Sequence, residues 1–191
     1  MGKRLRNWEL AGFLWTVLAG TALHFLYDWT GGAVWAAAVS AVNESVWEHM
    51  KLLFVPAFVF TLVQQAALGR QYPNLPAVRA VSLTAALVFL PAAYYTYTGA
   101  LGVHALWADI LLFVLAAALL FWLDCRLLRR GAFDAGWQQA AGLLVLWVLA
   151  FAFLWCSFRP PHLPLWQDPS TGGYGLSLDP LGKARYNRGN V

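Results

Sequence analysis

Long apolar runs separated by short polar segments dominate the residue pattern of this chain. Each run approaches the roughly 20 apolar residues that an α-helix needs to cross a bilayer core of about 30 Å. The pattern therefore predicts five membrane-spanning helices, at about 8–26, 45–68, 80–97, 104–123 and 138–158. An alanine-rich piece at 33–42 is too short to cross, and we expect a re-entrant or interfacial segment there. The predicted fold class is all-α, an integral membrane helical bundle.

The composition agrees with a membrane protein whose main partner is the lipid bilayer. The chain is 60% hydrophobic and 12% charged, whereas soluble domains are about one-quarter charged. Its 11 tryptophans and 7 tyrosines suit the two membrane–water interfaces, where amphipathic rings accumulate. Basic residues do not cluster among aromatic ones, so we do not expect nucleic-acid binding. The sequence gives no indication of an oligomeric state.

The segment 159–191 differs from the rest because proline and glycine exclude a further span. One interpretation is a disordered terminus, since short termini are often untethered. The alternative is a lid that lies across one mouth of the bundle through Leu163, Leu165, Trp166 and Tyr174. His162 and Asp168 would then join the polar residues at that mouth.

Basic residues fall on alternate connections between the predicted spans, as the positive-inside rule expects of cytoplasmic segments. They are Lys3, Arg4, Arg6, Arg70, Arg79, Arg126, Arg129 and Arg130. The pattern predicts a multi-pass protein of a plasma (inner) membrane with a cytoplasmic amino terminus. With five spans, the tail is then extracytoplasmic.

The densest polarity beside apolar sequence lies at 43–51, at the start of the second span. Helical geometry places Glu44, Glu48 and Lys51 on one stripe and His49 on the neighbouring one. These acids and this base are the candidate catalytic residues. In the predicted topology they face outward, together with ionisable residues at the outer ends of the other spans. Such groups are costly within a membrane and usually face a partner or a water-filled cavity.

A structural interpretation of the same stretch competes with catalysis. Ser45 followed by Glu48 fits a capping box, in which the serine caps the helix and the glutamate reaches back to the serine amide. Capping explains neither Lys51 nor His49. Whether the stretch is a helix start or a functional site stays open.

Several residues of the outward layer have side chains that bind metal ions. A catalytic zinc site needs about three protein ligands and one open position. The candidate ligands of a divalent metal such as zinc are His24, His49, His104, Asp28 and Asp109. Their spacing is not diagnostic, because no helix carries His-Glu-x-x-His. We also expect Asp109 to pair with Lys51 or with a histidine.

Three functions remain open. The leading one is a metal-dependent hydrolase or transferase that acts on a lipid or lipid-linked substrate, with Glu44 or Glu48 as the base. The second is a proton-coupled or ion transporter, although an inverted repeat is not evident. The third is a non-catalytic membrane scaffold in which local ion pairs fix the helix packing.

Two runs carry a resemblance, HFLYDW at 24–29 and VNESVWEHMK at 42–51. Together with Asp168-Pro169 and Tyr174-Gly175, they resemble a family of small bacterial multi-pass membrane proteins of unknown function. The distinctive signature is HFxYDW followed by NESxWEHxK. The resemblance implies a multi-pass architecture over most of the chain and implies no reaction.

Overall fold

The computed structural model describes residues 2–176, which form six α-helices and one 3₁₀ turn at Pro164–Trp166. The helices are α1 (Gly2–Trp29), α2 (Val34–Ala37), α3 (Val46–Leu68), α4 (Leu75–Leu101), α5 (Leu106–Arg129) and α6 (Gly136–Phe158). Within these residues there is no β-strand, so the all-α prediction is confirmed. The end of the predicted tail, 177–191, lies outside the described residues.

Five helices, all except α2, are long and apolar enough to cross a membrane. Their most apolar windows have mean hydropathies between 1.5 and 2.4. The shortest has 23 residues and, at 1.5 Å per residue, is about 35 Å long, which exceeds a bilayer core of about 30 Å. The prediction of a membrane bundle with about five spans is confirmed.

Helices α4 and α5 extend beyond the predicted spans and include charged residues. The predicted spans stop short of Arg79 and Asp124, yet both residues lie inside helices. Arg79 Nε lies 2.7 Å from Asp124 Oδ2, and both side chains are buried. An ion pair is tolerated in an apolar helix more easily than a single charge. Hydropathy alone therefore starts α4 too late and ends α5 too early.

Successive long helices run in opposite directions, so the bundle has two ends. Glu48 at the start of α3 meets Ser157 at the end of α6, and we call this the Glu48 end. Arg79 at the start of α4 meets Asp124 at the end of α5, and we call this the Arg79 end. The buried apolar core between the ends includes Leu53, Phe54, Ala57, Leu83, Leu87, Ala116 and Leu120.

The short helix α2 and the described part of the tail both pack at the Glu48 end. Ala36 and Ala37 of α2 are buried against Tyr27 of α1. In the tail, the Trp166 ring lies 4.8 Å from that of Trp47, and Leu176 N donates to Ser157 O at 2.9 Å. The tail up to Leu176 thus covers the junction between α3 and α6.

Candidate functional site

The start of α3 is fixed by hydrogen bonds from its own sequence. Ser45 is the N-cap, and its hydroxyl accepts from Glu48 N at 3.4 Å. The Ser45 amide donates to Asn43 Oδ1 at 2.9 Å and not to the Glu48 carboxylate. Only half of the predicted capping box is therefore present. Asn43 satisfies the serine amide, and the Glu48 side chain turns into the bundle.

Glu48 and Lys51 form an ion pair inside the bundle. Lys51 Nζ lies 2.6 Å from Glu48 Oε2, and the two residues are 0% and 1% exposed respectively. Lys51 also donates to Ala37 O at 2.9 Å and to Ser157 Oγ at 2.6 Å, so all three ammonium hydrogens have acceptors. We call Glu48, Lys51 and Ser157 the Lys51 cluster.

The Glu48 carboxylate is also fully engaged. Its Oε2 accepts from Val42 N at 3.1 Å, and its Oε1 lies 3.2 Å from the Ser157 hydroxyl. The cluster carries one positive and one negative charge and joins α3 to α6 and to the segment after α2. This arrangement favours a structural role for Glu48 and Lys51, because neither side chain reaches solvent. Their predicted catalytic roles stay a hypothesis.

A second group at the same end, which we call the histidine site, consists of His24, Glu44 and His49. One donor atom from each residue lies within 4.8 Å of the others, close enough to share a metal ion. His49 Nε2 lies 3.5 Å from Glu44 Oε2, and these side chains are 32% and 58% exposed respectively. The histidine site therefore opens to solvent, in contrast to the Lys51 cluster.

The helix start also orients the His49 ring. His49 Nδ1 lies 2.9 Å from Ser45 O, and a carbonyl can only accept, so Nδ1 carries the hydrogen. Nε2, the nitrogen nearer to Glu44, is then the one that can bind a metal ion. Metal-binding histidines commonly donate their other ring nitrogen to a carbonyl in this way. His24 comes from the end of α1, and its ring centroid lies 5.5 Å from that of His49.

The predicted metal ligands are divided between two places. His104 Nε2 lies 2.8 Å from Asp109 Oδ2, and Tyr97 donates to Asp109 Oδ1 at 2.5 Å. Of the two predicted partners of Asp109, Lys51 or a histidine, the structure has the histidine. Asp28 follows His24 by one turn of α1 and interacts with it electrostatically. The histidine site therefore includes two of the five predicted ligands, with Asp28 beside it.

A third group of ionisable residues lies at the opposite end of the bundle. Arg79, 1% exposed, pairs with Asp124 and also lies 3.8 Å from Glu9 Oε2. Gln64 connects the two sides, because its amide donates to Glu9 Oε1 at 2.6 Å and its oxygen accepts from Arg79 Nη2 at 2.6 Å. We call Glu9, Gln64, Arg79 and Asp124 the Arg79 cluster.

Sequence reasoning missed the Arg79 cluster because it treated Arg79 only as a topology signal. The sequence nevertheless contained an indication of this cluster, namely polar residues in or beside the predicted spans. Glu9 and Gln64 lie within predicted spans, and Asp124 directly follows one. A polar or ionisable residue in a span usually indicates a partner within the bundle.

Comparison with known proteins places the chain in a family whose function is unknown. A model of a family of unknown function, DUF6512, matches residues 2–176. The chain belongs to the DUF6512 family. The comparisons with curated proteins and with solved structures found no match. The match to the family model thus extends over the whole described part of the chain, which includes the histidine site and both buried clusters.

The tail of this DUF6512 member is held by a tight turn around Asp168. Asp168 Oδ1 accepts from Ser170 N at 2.8 Å, and Oδ2 accepts from the Thr171 hydroxyl at 2.9 Å. Burial acts to raise the pKa of Asp168, but these hydrogen bonds outweigh it and hold the pKa below its ordinary value. The His162 ring packs on Tyr174 with centroids 4.7 Å apart, which closes the same turn. Neither His162 nor Asp168 is a member of the histidine site.

Proposed function

We propose that this protein is a metal-dependent hydrolase or transferase whose divalent ion, of the zinc class, is held by His24, Glu44 and His49. The observation that carries the proposal is the convergence of three donor atoms within 4.8 Å on a solvent-accessible surface. Two imidazoles and one carboxylate are the ligand set of several catalytic zinc sites. Three protein ligands leave a position open for water or substrate.

The chemistry follows from this ligand set and its surroundings. A zinc ion would act as a Lewis acid and would favour ionisation of a water molecule near neutral pH. Asp28, one turn from His24 on α1, is our candidate for accepting a proton from the attacking water. This assignment replaces Glu48 as the base, because Glu48 is buried and paired with Lys51. Glu44 would serve as a ligand and not as a base.

The surroundings of the histidine site support a lipid or lipid-linked substrate. Phe25 follows His24 directly and stacks on Trp29 with centroids 5.8 Å apart, and these side chains are 45% and 70% exposed. Exposed aromatic rings at a helix end are typical of the membrane–water interface, where lipid headgroups lie. A headgroup there would be within reach of the three donor atoms.

Charge supports placing the histidine site on the outer side of a plasma (inner) membrane. Lys3, Arg6, Arg126 and Arg129 lie near the Arg79 end, at the start of α1 and the end of α5. By the positive-inside rule that end is cytoplasmic. The amino terminus would then be inside and the tail outside.

Elemental analysis of the detergent-purified protein tests the metal proposal directly. We expect close to one zinc or related ion per chain in the wild type. His24→Ala and His49→Ala should lose it, because each removes one of three ligands. His104→Ala is the matched control, since His104 pairs with Asp109 and should leave the metal content unchanged. Thermal unfolding of each variant shows whether it remains folded.

Two results would refute the metal proposal. Metal content at background in the wild type after supplementation with zinc, manganese and cobalt would exclude a metal centre. Loss of the ion in His104→Ala, but not in His49→Ala, would place it elsewhere. If the ion is present, hydrolysis of lipids and lipid-linked phosphates can be screened, with Asp28→Asn expected to lower kcat and to retain the metal.

Transport is a second candidate, and one observation favours it. Buried ionisable clusters lie at both ends of the bundle, so polar groups are present in each half. Against transport, an apolar core that includes Leu53, Phe54 and Leu87 separates the two clusters. Proton or cation flux into protein-containing liposomes, absent from protein-free liposomes, would support transport. Absence of both metal and flux would favour the scaffold alternative.

A further inference from the structure

The two buried clusters differ in their charge balance. The Lys51 cluster contains one carboxylate, Glu48, and one ammonium group. The Arg79 cluster contains two carboxylates, Glu9 and Asp124, around a single guanidinium group. Glu9 is 4% exposed, and Arg79 and Asp124 are each 1% exposed. Full ionisation would therefore leave one uncompensated negative charge within the bundle.

Within residues 2–176, the groups in contact with these two carboxylates come from four helices, and Arg79 is the cation that pairs with both. Helix α1 contributes Glu9, α3 contributes Thr61 and Gln64, α4 contributes Arg79 and Ser82, and α5 contributes Asp124. An unpaired buried carboxylate is expensive, and the usual outcome is that the group takes up a proton. Two carboxylates that share one site commonly hold one proton between them.

We propose that the Arg79 cluster is a proton-binding site that holds one exchangeable proton between its two carboxyl groups, with Glu9 as the main carrier. Asp124 is the ionised partner of Arg79, because its Oδ2 lies 2.7 Å from Nε. Glu9 Oε2 is farther from the guanidinium, at 3.8 Å. This inference is independent of the metal proposal, which concerns the opposite end of the bundle.

The atoms of Glu9 also fit the acid form. Its Oε1 accepts from the Gln64 amide at 2.6 Å, so that oxygen is the carbonyl oxygen. Its Oε2 is buried and has no hydrogen-bond partner among the described residues, and it is the oxygen left to carry the hydrogen. Asp124 Oδ2 is held by its ion pair with Arg79, whereas Asp124 Oδ1 and the Ser82 hydroxyl are buried without partners that meet hydrogen-bond geometry in the described part of the chain.

Infrared spectroscopy of the purified protein at neutral pH tests the proposal, because a carboxylic acid and a carboxylate absorb at different frequencies. We expect a carboxylic acid carbonyl band in the wild type that shifts in D2O. The band should disappear in Glu9→Gln. It should also disappear in Asp124→Asn, because Glu9 then becomes the sole carboxylate partner of Arg79 and ionises. Asp109→Asn is the matched control outside the cluster and should retain the band.

Thermal unfolding assigns the proton between the two carboxyl groups. Glu9→Gln should unfold within a few degrees of the wild type, because the amide keeps an acceptor for Gln64 and no charge is lost. Asp124→Asn should lower the Tm more than Glu9→Gln does, because Arg79 loses its close partner at 2.7 Å and keeps only Glu9, at 3.8 Å.

Three results would overturn the proposal. Absence of an acid band from the wild type would mean that both carboxyl groups are ionised. A band that persists in Glu9→Gln and in Asp124→Asn would belong to another residue. Sodium- or potassium-dependent stabilisation that is lost in Glu9→Gln would show that a cation, and not a proton, balances the charge. The first of these results needs only the wild-type protein, so it is decisive even if a variant does not fold.

Discussion

Removal of the cation from the Lys51 cluster is the most direct test of its structural role. Lys51→Met replaces the ammonium group with a thioether of similar length and leaves Glu48 charged, buried and without its ion-pair partner. Loss of one partner from a buried ion pair costs about 3–5 kcal/mol. In a chain of this size, 1 kcal/mol corresponds to roughly 2–4 °C in Tm. We therefore expect Lys51→Met to lower the Tm by roughly 6–20 °C.

Thermal unfolding of the detergent-purified protein, followed by tryptophan fluorescence, measures this loss. Lys3→Met is the matched control, because Lys3 is exposed at the start of α1 and should change stability by about 0.5 kcal/mol or less. The double variant with Glu48→Gln and Lys51→Met should recover part of the loss, since no buried charge remains without a partner.

Two outcomes would refute the reasoning. A Lys51→Met protein within about 1 kcal/mol of the wild type would mean that Glu48 is already neutral or hydrated in the folded state. A double variant whose loss equals the sum of the two single losses would mean that Glu48 and Lys51 do not stabilise each other. A folded Lys51→Met protein that lost only catalytic activity would restore the predicted catalytic role of Lys51.

Two further predictions concern helix packing and the tail. Gly142→Ala should lower stability by about 1–3 kcal/mol, because the new Cβ would lie 2.6 Å from Ala77 Cα, and a close backbone cannot yield as a side chain does. In Gly99→Ala the new Cβ would meet no atom of residues 2–176 within 4 Å, so this variant should leave stability unchanged or raise it, and thermal unfolding measures both variants. The pKa of Asp168 in the folded protein lies below its ordinary value. Ionised Asp168 therefore stabilises the turn at pH values above its ordinary pKa, and this stabilisation is lost as the pH falls through the pKa of the folded state. Limited proteolysis should therefore cut the tail faster in strong acid than at neutral pH. Asp168→Asn should be cut faster at neutral pH too, and equal rates in all three cases would contradict this account.

The sequence predicted the spans well because hydropathy adds up along a single helix. All five predicted spans correspond to helices that are long and apolar enough to cross a membrane. The Ser45 cap was also predictable, because capping depends on residues three positions apart. The local pairing of Glu48 with Lys51, three residues later, was likewise part of the scaffold alternative. The contact of Glu48 with Ser157 was not predictable, because Ser157 lies on α6.

Tertiary structure decided which ionisable residues meet. His24 and His49 approach each other because α1 packs against α3, whereas His104 meets Asp109 at the start of α5. Glu9, Arg79 and Asp124 lie on three different helices, and the rotation of each helix about its axis brings them together. Hydropathy determines how many helices of this chain are apolar enough to cross a membrane, because each residue contributes through its own transfer free energy. The partners of the charged residues depend on helix packing, which the residue pattern along one helix does not specify.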